Sequence, residues 1–268
     1  MESCEFSKHL NWKEPRSATV TELEWIHSKE HIDHVKQVCE SDGDGYLDPD
    51  TPVCPESYNI ALKSAGAWLD GVDEVLTGNS ALVLSRPPGH HAEADMAIGF
   101  CLFSNAALAA TYALKQNDIN KVAIFDWDVH HGNGSQHIVQ SNPDIIYVSI
   151  HQFPFYPGTG SQLEKGDYDN VLNIPVPSGY GSTEYSPIFD EQFFPFIKNF
   201  HPDLLIISAG FDAHRNDPLA GINLVAEDFA YMTKRCLEIQ PNLLLGLEGG
   251  YDLEALEDCV IKVCVELM

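Results

Sequence analysis

Histidines, aspartates and a tyrosine collect in five short segments of this chain, and their types suit metal-assisted hydrolysis. RPPGHH carries His90 and His91, and DWDVHHGNG carries Asp126, Asp128, His130 and His131. His151 follows, then GFDAHRNDP with Asp212, His214 and Asp217, and EGGYDL with Tyr251. Asp128, His130 and Asp212 offer two oxygen donors and one imidazole, which leaves a coordination position open, as catalytic zinc requires. Asp128 and His130 are two residues apart, so their side chains share one side of an extended segment. The alternative is that they only cap the next helix. Two adjacent imidazoles near a metal could pass protons to and from a water and a leaving amine. Each needs a partner to fix its tautomer, and Asp126 and Asn133 are candidates. The alternative for His90 and His91 is a surface pair in a loop. Tyr251 follows Gly249 and Gly250, which permit close backbone approach, and a phenol could donate to a developing oxyanion. A structural turn is the alternative there.

These residues must be positioned by regular elements, and the chain alternates two kinds. The runs ALVLS (81–85), VAIFD (122–126), IIYVSI (145–150), LLIISA (204–209) and LLLGL (243–247) read as strands apolar on both faces. Helical patterns lie near 101–116, 184–199, 226–239 and 253–266. Alternation of this kind predicts an α/β fold, a three-layer domain whose mostly parallel sheet is covered by helices on both faces. Each polar segment follows a strand, at the carboxyl edge where such sheets bind ligands. With no repeat or linker, residues 1–268 are expected to form a single domain. SDGDGYLDPDTP (41–52) is the clearest loop. With Glu40 at position one of a calcium loop, position twelve would be Thr51 rather than Glu, so an Asp- and Gly-rich turn is expected instead.

Composition narrows the classes. Forty acidic against 15 basic residues give a net charge of -25, which excludes a basic nucleic-acid groove. An acidic surface could attract lysine-rich tails, although solubility alone also explains it. Apolar runs fall well short of the roughly 20 residues of a membrane span, and the N-terminus has no signal-peptide core. Seven cysteines, Cys4 among them, form no CxxC pair and no disulfide framework, which points to a reducing cytoplasmic compartment.

Taken together, RPPGHH with GFCLFSN, DWDVHHGNG, VSIHQFPFYPGTG, SAGFDAHRNDPLAG and LEGGYDL resemble the arginase-fold deacetylases, the histone deacetylase family. The likeness runs from about residue 15 to the C-terminus, closest to the class II-like and bacterial branch through Asn133 and DPLAG. It implies zinc on Asp128, His130 and Asp212, with hydrolysis of the acetyl amide of acetyl-lysine in proteins or peptides. His91 would be the general base and acid leaning on Asn133. His90 would pair with Asp126 and stabilise charge, and Tyr251 would polarise the carbonyl. Gly99 and Phe100 would line the lysine tunnel, with Tyr156 or Phe155 opposite. The resemblance also implies a structural potassium near Asp126, Asp128, His130, Ser149 and Ile150. Acetylpolyamine relatives place an acidic residue where Leu219 stands, so leucine favours a peptidyl substrate. The family opens with a strand and an HPE-type loop before the region EPRSATVTELEWIHS, and only some fifteen residues stand there, carrying neither element clearly.

Other tempting residues are set aside. His27, His31 and His34 fall at helical spacing, but interleaved Glu30 and Asp33 predict a solvated helix. His214 and Asp217 are left out of the zinc set, His137 is placed on the helix after GNG, and Cys101 is read as packing. Three other functions compete with the deacetylase reading. They are an amidohydrolase for acetylated polyamines, a two-manganese ureohydrolase, and an inactive acetyl-lysine-binding module. The oligomeric state is left open.

Overall fold

The computed structural model describes residues 5–41 and 45–268. A 3-10 turn (Glu5–His9), α1 (Val20–Leu23) and α2 (Lys29–Cys39) come first. A small antiparallel pair follows, β1 (Gly45–Tyr46) with β2 (Pro52–Val53), and then the 20-residue helix α3 (Ser57–Leu76). Next are β3 (Ala81–Val83), α4 (Asn105–Ala113), β4 (Val122–Asp126), α5 (Asn133–Val139), β5 (Ile145–Gln152) and β6 (Val171–Val176). Then α6 (Ser182–Ile188) runs through a π-helical turn (Phe189–Phe193) into α7 (Phe194–Phe200). The chain closes with β7 (Leu204–Ala209), α8 (Ala226–Leu237), β8 (Leu243–Leu247) and α9 (Leu253–Leu267). Six strands form one sheet in the order β3-β8-β7-β4-β5-β6, with every neighbouring pair parallel.

The sheet is buried on both faces because successive side chains of each strand point to opposite sides. Val122, Ile124, Tyr147, Ile206 and Leu244 pack with Trp68 and Val72 of α3 and with the alanines of α4. Ala123, Phe125, Val148, Ile207 and Leu245 pack with Phe189, Phe193, Phe229 and Val260 from the helices after β6. A third cluster joins α2 to α3 through Ile32, Val35, Leu69 and Phe103. The α/β, helix–sheet–helix expectation holds, and all five expected strands are present.

Three local differences have physical causes. β6 was not among the expected strands. It is an edge strand interrupted by Asn173 and by Pro175, a residue that edges tolerate. α3 was also unassigned, although Tyr58, Ala61, Ala65, Trp68, Leu69 and Val72 recur at helical spacing and are buried. The helix carrying His31 and His34 is only half solvated: His34 is exposed, whereas His27 and His31 are buried. The His27 Nδ1–H donates to the Glu93 carbonyl (2.9 Å), and its Nε2 accepts from the Ser104 N–H (2.9 Å). Of the Asp-rich loop, residues 42–44 and their calcium-loop reading lie outside the described residues, as does Cys4. Cys39, Cys54, Cys101, Cys236 and Cys259 are free thiols, and no described helix is long and apolar enough to cross a membrane.

Candidate active site

The chain reverses its progress across the sheet at β4, which lies between β5 and the later strand β7. Ligand sites form at such switch points, beyond the carboxyl ends of the strands. Asp128 and His130 leave the end of β4, Asp212 follows β7, and Gly249 and Tyr251 follow β8. Adjacent strands thereby gather residues more than 80 positions apart.

Asp128, His130 and Asp212 present ligand atoms within 4.8 Å of one another. The His130 Nδ1 is 3.1 Å from Asp128 Oδ1 and 3.1 Å from Asp212 Oδ2. Backbone amides orient both carboxylates: Gly249 N–H donates to Asp128 Oδ2 (2.8 Å), and Val129 N–H to Asp212 Oδ1 (2.9 Å). Gly249 is required here, because a Cβ would fall 2.3 Å from Asp212 Oδ2. Two carboxylates with no solvent exposure demand a positive charge. Before any ion is counted, burial opposes a charge on His130, but the two carboxylates outweigh it and raise the imidazole to about 10. Burial and Asp128 push Asp212 up to about 7. A divalent cation satisfies this donor set, and its two oxygens and one nitrogen fit zinc with a position left open.

The paired histidines are buried beside this cluster, with ring centroids 3.9 Å apart. His90 Nδ1 meets Asp126 Oδ2 at 3.1 Å, and His91 Nδ1 meets Asn133 Oδ1 at 2.8 Å, the expected pairings. Burial opposes a charge on His90, but Asp128 and Asp126 outweigh it and raise it well above the ordinary histidine value. Burial and the neighbouring His90 hold His91 well below that value. Tyr147 and the Asp128 N–H also bond to Asp126.

A pocket of about 230 Å³ opens over these groups, lined by His90, His91, Gly99, Phe100, His130, Tyr156, Leu219 and Tyr251, with Asp50 and Pro88. Of the expected tunnel residues, Gly99, Phe100 and Tyr156 reach it. Gly99 (φ 60°) lets the backbone lie against His91, whose Cδ2 would be 2.5 Å from an added Cβ. Phe155 instead stacks on His130 (5.2 Å, 15°), and Tyr156 lines the pocket with its ring edge-on to His91 (5.2 Å, 87°). Burial and then Asp128 and Asp212 raise Tyr251, so its phenol keeps its proton.

Not every polar residue after a strand reaches the pocket. His131 bonds to Thr159 and Gln136, and His151 to Ser149 and the Gly160 carbonyl, so both brace loops instead. His214 and Cys101 are buried and outside the pocket lining, and His137 lies on α5. The potassium expectation concerns neighbouring strands, since Asp126 and Ser149 are opposite each other in the β4–β5 ladder. Three supporting carboxylates were given no site role from sequence, although Asp217 was noted there and set aside from the zinc set. Glu248 accepts from the Gly89 and His90 N–H groups (2.6 and 3.1 Å) and from Ser208, and so pins the histidine turn. Asp217 accepts from the N–H of Tyr251 (2.7 Å) and of Leu219 (2.9 Å). Glu93 meets Asn133. Only the acidic residue within LEGGY and the NDP that follows Asp212 could have signalled the first two.

With this geometry in place, comparison with known proteins gives the class. Residues 1–267 match the family described as Histone deacetylase domain, and the chain belongs to the histone deacetylase family, zinc-dependent hydrolytic enzymes. It is 47% identical over 266 residues to an uncharacterized protein of Synechocystis sp., covering 98% of this chain and 87% of that one. It is 40% identical over 248 residues to a probable deacetylase of Methanothermobacter thermautotrophicus, covering 91% and 75%. The crystal structure of the HDA15 HD domain aligns at a TM-score of 0.91 and 37% identity, covering 96% of this chain and 75% of that one.

Proposed function

We propose that this chain hydrolyses the acetyl amide of N-ε-acetyl-lysine in proteins or peptides, releasing acetate and the free lysine amine. One observation carries the reading: a single pocket is lined by Tyr251, by His130 of the Asp128–His130–Asp212 cluster and by His91, whose Nδ1 meets Asn133 behind it. Asp128, His130 and Asp212 would hold one zinc ion. When bound, zinc supplies Lewis-acid polarisation of the carbonyl and acidifies a water. His91, kept neutral by burial and by His90, takes the proton of the attacking water. Tyr251 donates its hydroxyl to the carbonyl oxygen as charge develops there. His90, paired with Asp126, stabilises the charge that accumulates. The C–N bond then breaks, and His91 returns its proton to the departing amine. A structural potassium would belong beside Asp126 and Ser149.

Leu219, 46% exposed and on the pocket, supports the peptide substrate, because an apolar rim offers a second ammonium no counter-charge. One observation favours acetylated polyamines instead: Asp50, exposed, places a carboxylate on the same pocket. The test is acetate release by the zinc-loaded protein from an acetyl-lysine peptide and from N-acetylspermidine. The expected result is faster turnover of the peptide, with Leu219→Glu shifting the ratio toward the polyamine. Turnover of the polyamine alone would transfer the function to the second reading. No turnover of either by folded, zinc-bearing protein would leave a binding module.

A further inference from the structure

We propose that Glu93 is a positioning residue that sets the tautomer of His91 through the side-chain amide of Asn133. The inference rests on His91 being the proton carrier. An aspartate beside His91 would accept a hydrogen bond at either oxygen, but an asparagine has one accepting end and one donating end. If the amide turned by half a revolution, its NH2 would face His91 Nδ1. That nitrogen would then have to accept, and the ring proton would move to Nε2. His91 would lose the Nε2 lone pair that a base needs while Nδ1 is engaged.

The surroundings of Asn133 decide between the two orientations. Asn133 is 8% exposed, so water does not compete for its ends. Its Nδ2 lies 2.7 Å from Glu93 Oε1 and 3.4 Å from the His91 carbonyl oxygen, both acceptors. A carboxylate only accepts, so Glu93 holds the NH2 end and turns Oδ1 toward His91. The second Glu93 oxygen pairs with His137, one helical turn beyond Asn133, so α5 grips both oxygens of the carboxylate. The Glu93 backbone is fixed in turn: its N–H donates to the Met96 carbonyl, and its own carbonyl receives the buried His27. Asn133 therefore supplies the contact to His91, and Glu93 supplies the direction of that contact.

The test is 15N NMR of histidine-labelled protein, zinc-free and zinc-loaded, reading which ring nitrogen of His91 carries hydrogen. Steady-state kinetics would run alongside. Native protein is expected to carry it on Nδ1. Glu93→Lys replaces an acceptor with a donor-only group, and should move the proton toward Nε2 and lower kcat by about 10- to 100-fold, the usual range for such partners, with KM little changed. Adding Asn133→Asp to Glu93→Lys should restore both, since a carboxylate accepts from His91 and pairs with the new ammonium. Should Glu93→Lys fail to fold, Glu93→Gln, whose amide can offer either end, should give a mixture of tautomers. An unchanged tautomer in these variants, or no rescue in the double variant, would overturn the proposal in favour of a merely structural tie. Because the NMR signal needs no turnover, an inactive protein with the expected tautomers would refute the proposed function and leave this inference standing.

Discussion

His27 and His31 lie with ring centroids 5.0 Å apart, and His90 and His91 lie 3.9 Å apart, yet the two pairs have different surroundings. All four rings are buried. In the first pair the hydrogen-bond partners are backbone atoms of Glu93, Ser104 and Leu102. Burial, followed for His27 by its neighbour His31, lowers His27 to about 3, and burial lowers His31 as well. In the second pair burial acts in the same sense, but Asp128 and Asp126 reverse it for His90, while His91, given only a neutral amide, stays low. Burial alone makes a neutral, structural imidazole. Carboxylates in contact with the ring, on an open pocket, make a pair whose proton affinities diverge, as acid–base chemistry needs.

If that contrast is right, substitutions in the pocket should remove metal or activity and leave the fold, and substitutions at His27 should do the reverse. The largest effect is expected from Asp128→Ala or Asp212→Ala. Zinc titration should show loss of stoichiometric binding, and acetate release should fall to the level of stripped protein. Tyr251→Phe should keep its zinc and its KM but lose about 10²- to 10³-fold in kcat, the cost of one oxyanion donor. His27→Ala should keep its zinc but cost about 2–3 kcal/mol in urea unfolding, since it strands the buried Ser104 N–H and opens a cavity.

A smaller and graded effect concerns pH. The folded-state value of His27 lies near 3, below the ordinary 6.5. The unfolded chain therefore binds the extra proton first. The stability contributed by neutral His27 is complete above pH 6.5 and is lost as pH falls from there toward 3, at up to about 1.4 kcal/mol per pH unit. Unfolding free energies measured from pH 7.5 to 5 should decline in native protein, and the decline should be shallower in His27→Gln. An equal slope in both would sink the structural reading of this pair.

The fold was legible in sequence where a strand is apolar on both faces, as in VAIFD and LLIISA, and less so at the edge, where Pro175 and Asn173 break up β6. The residues proposed to hold metal and to move protons stood out in sequence because they follow strands in tight clusters of distinctive types. Glu248 was not, and Asp217 was noted without a role, because they act on backbone N–H groups, which every residue supplies and no motif records. The direction of the Asn133 amide was hidden for a similar reason, since it depends on Glu93, which is 40 positions away in sequence. Glu30 and Asp33 suggested solvent around His31, but they take the exposed side of α2, and His31 faces Phe103.

The central claim is that one divalent ion on Asp128, His130 and Asp212 is needed for amide hydrolysis at this pocket. The most direct test is to strip the protein with a chelator and titrate zinc back while following acetate release from an acetyl-lysine peptide. The account expects activity to vanish on stripping and to return in proportion to zinc, saturating at one ion per chain. Full activity in stripped protein, or one tightly held zinc per folded chain with no acetate released from either the peptide or N-acetylspermidine, would contradict it.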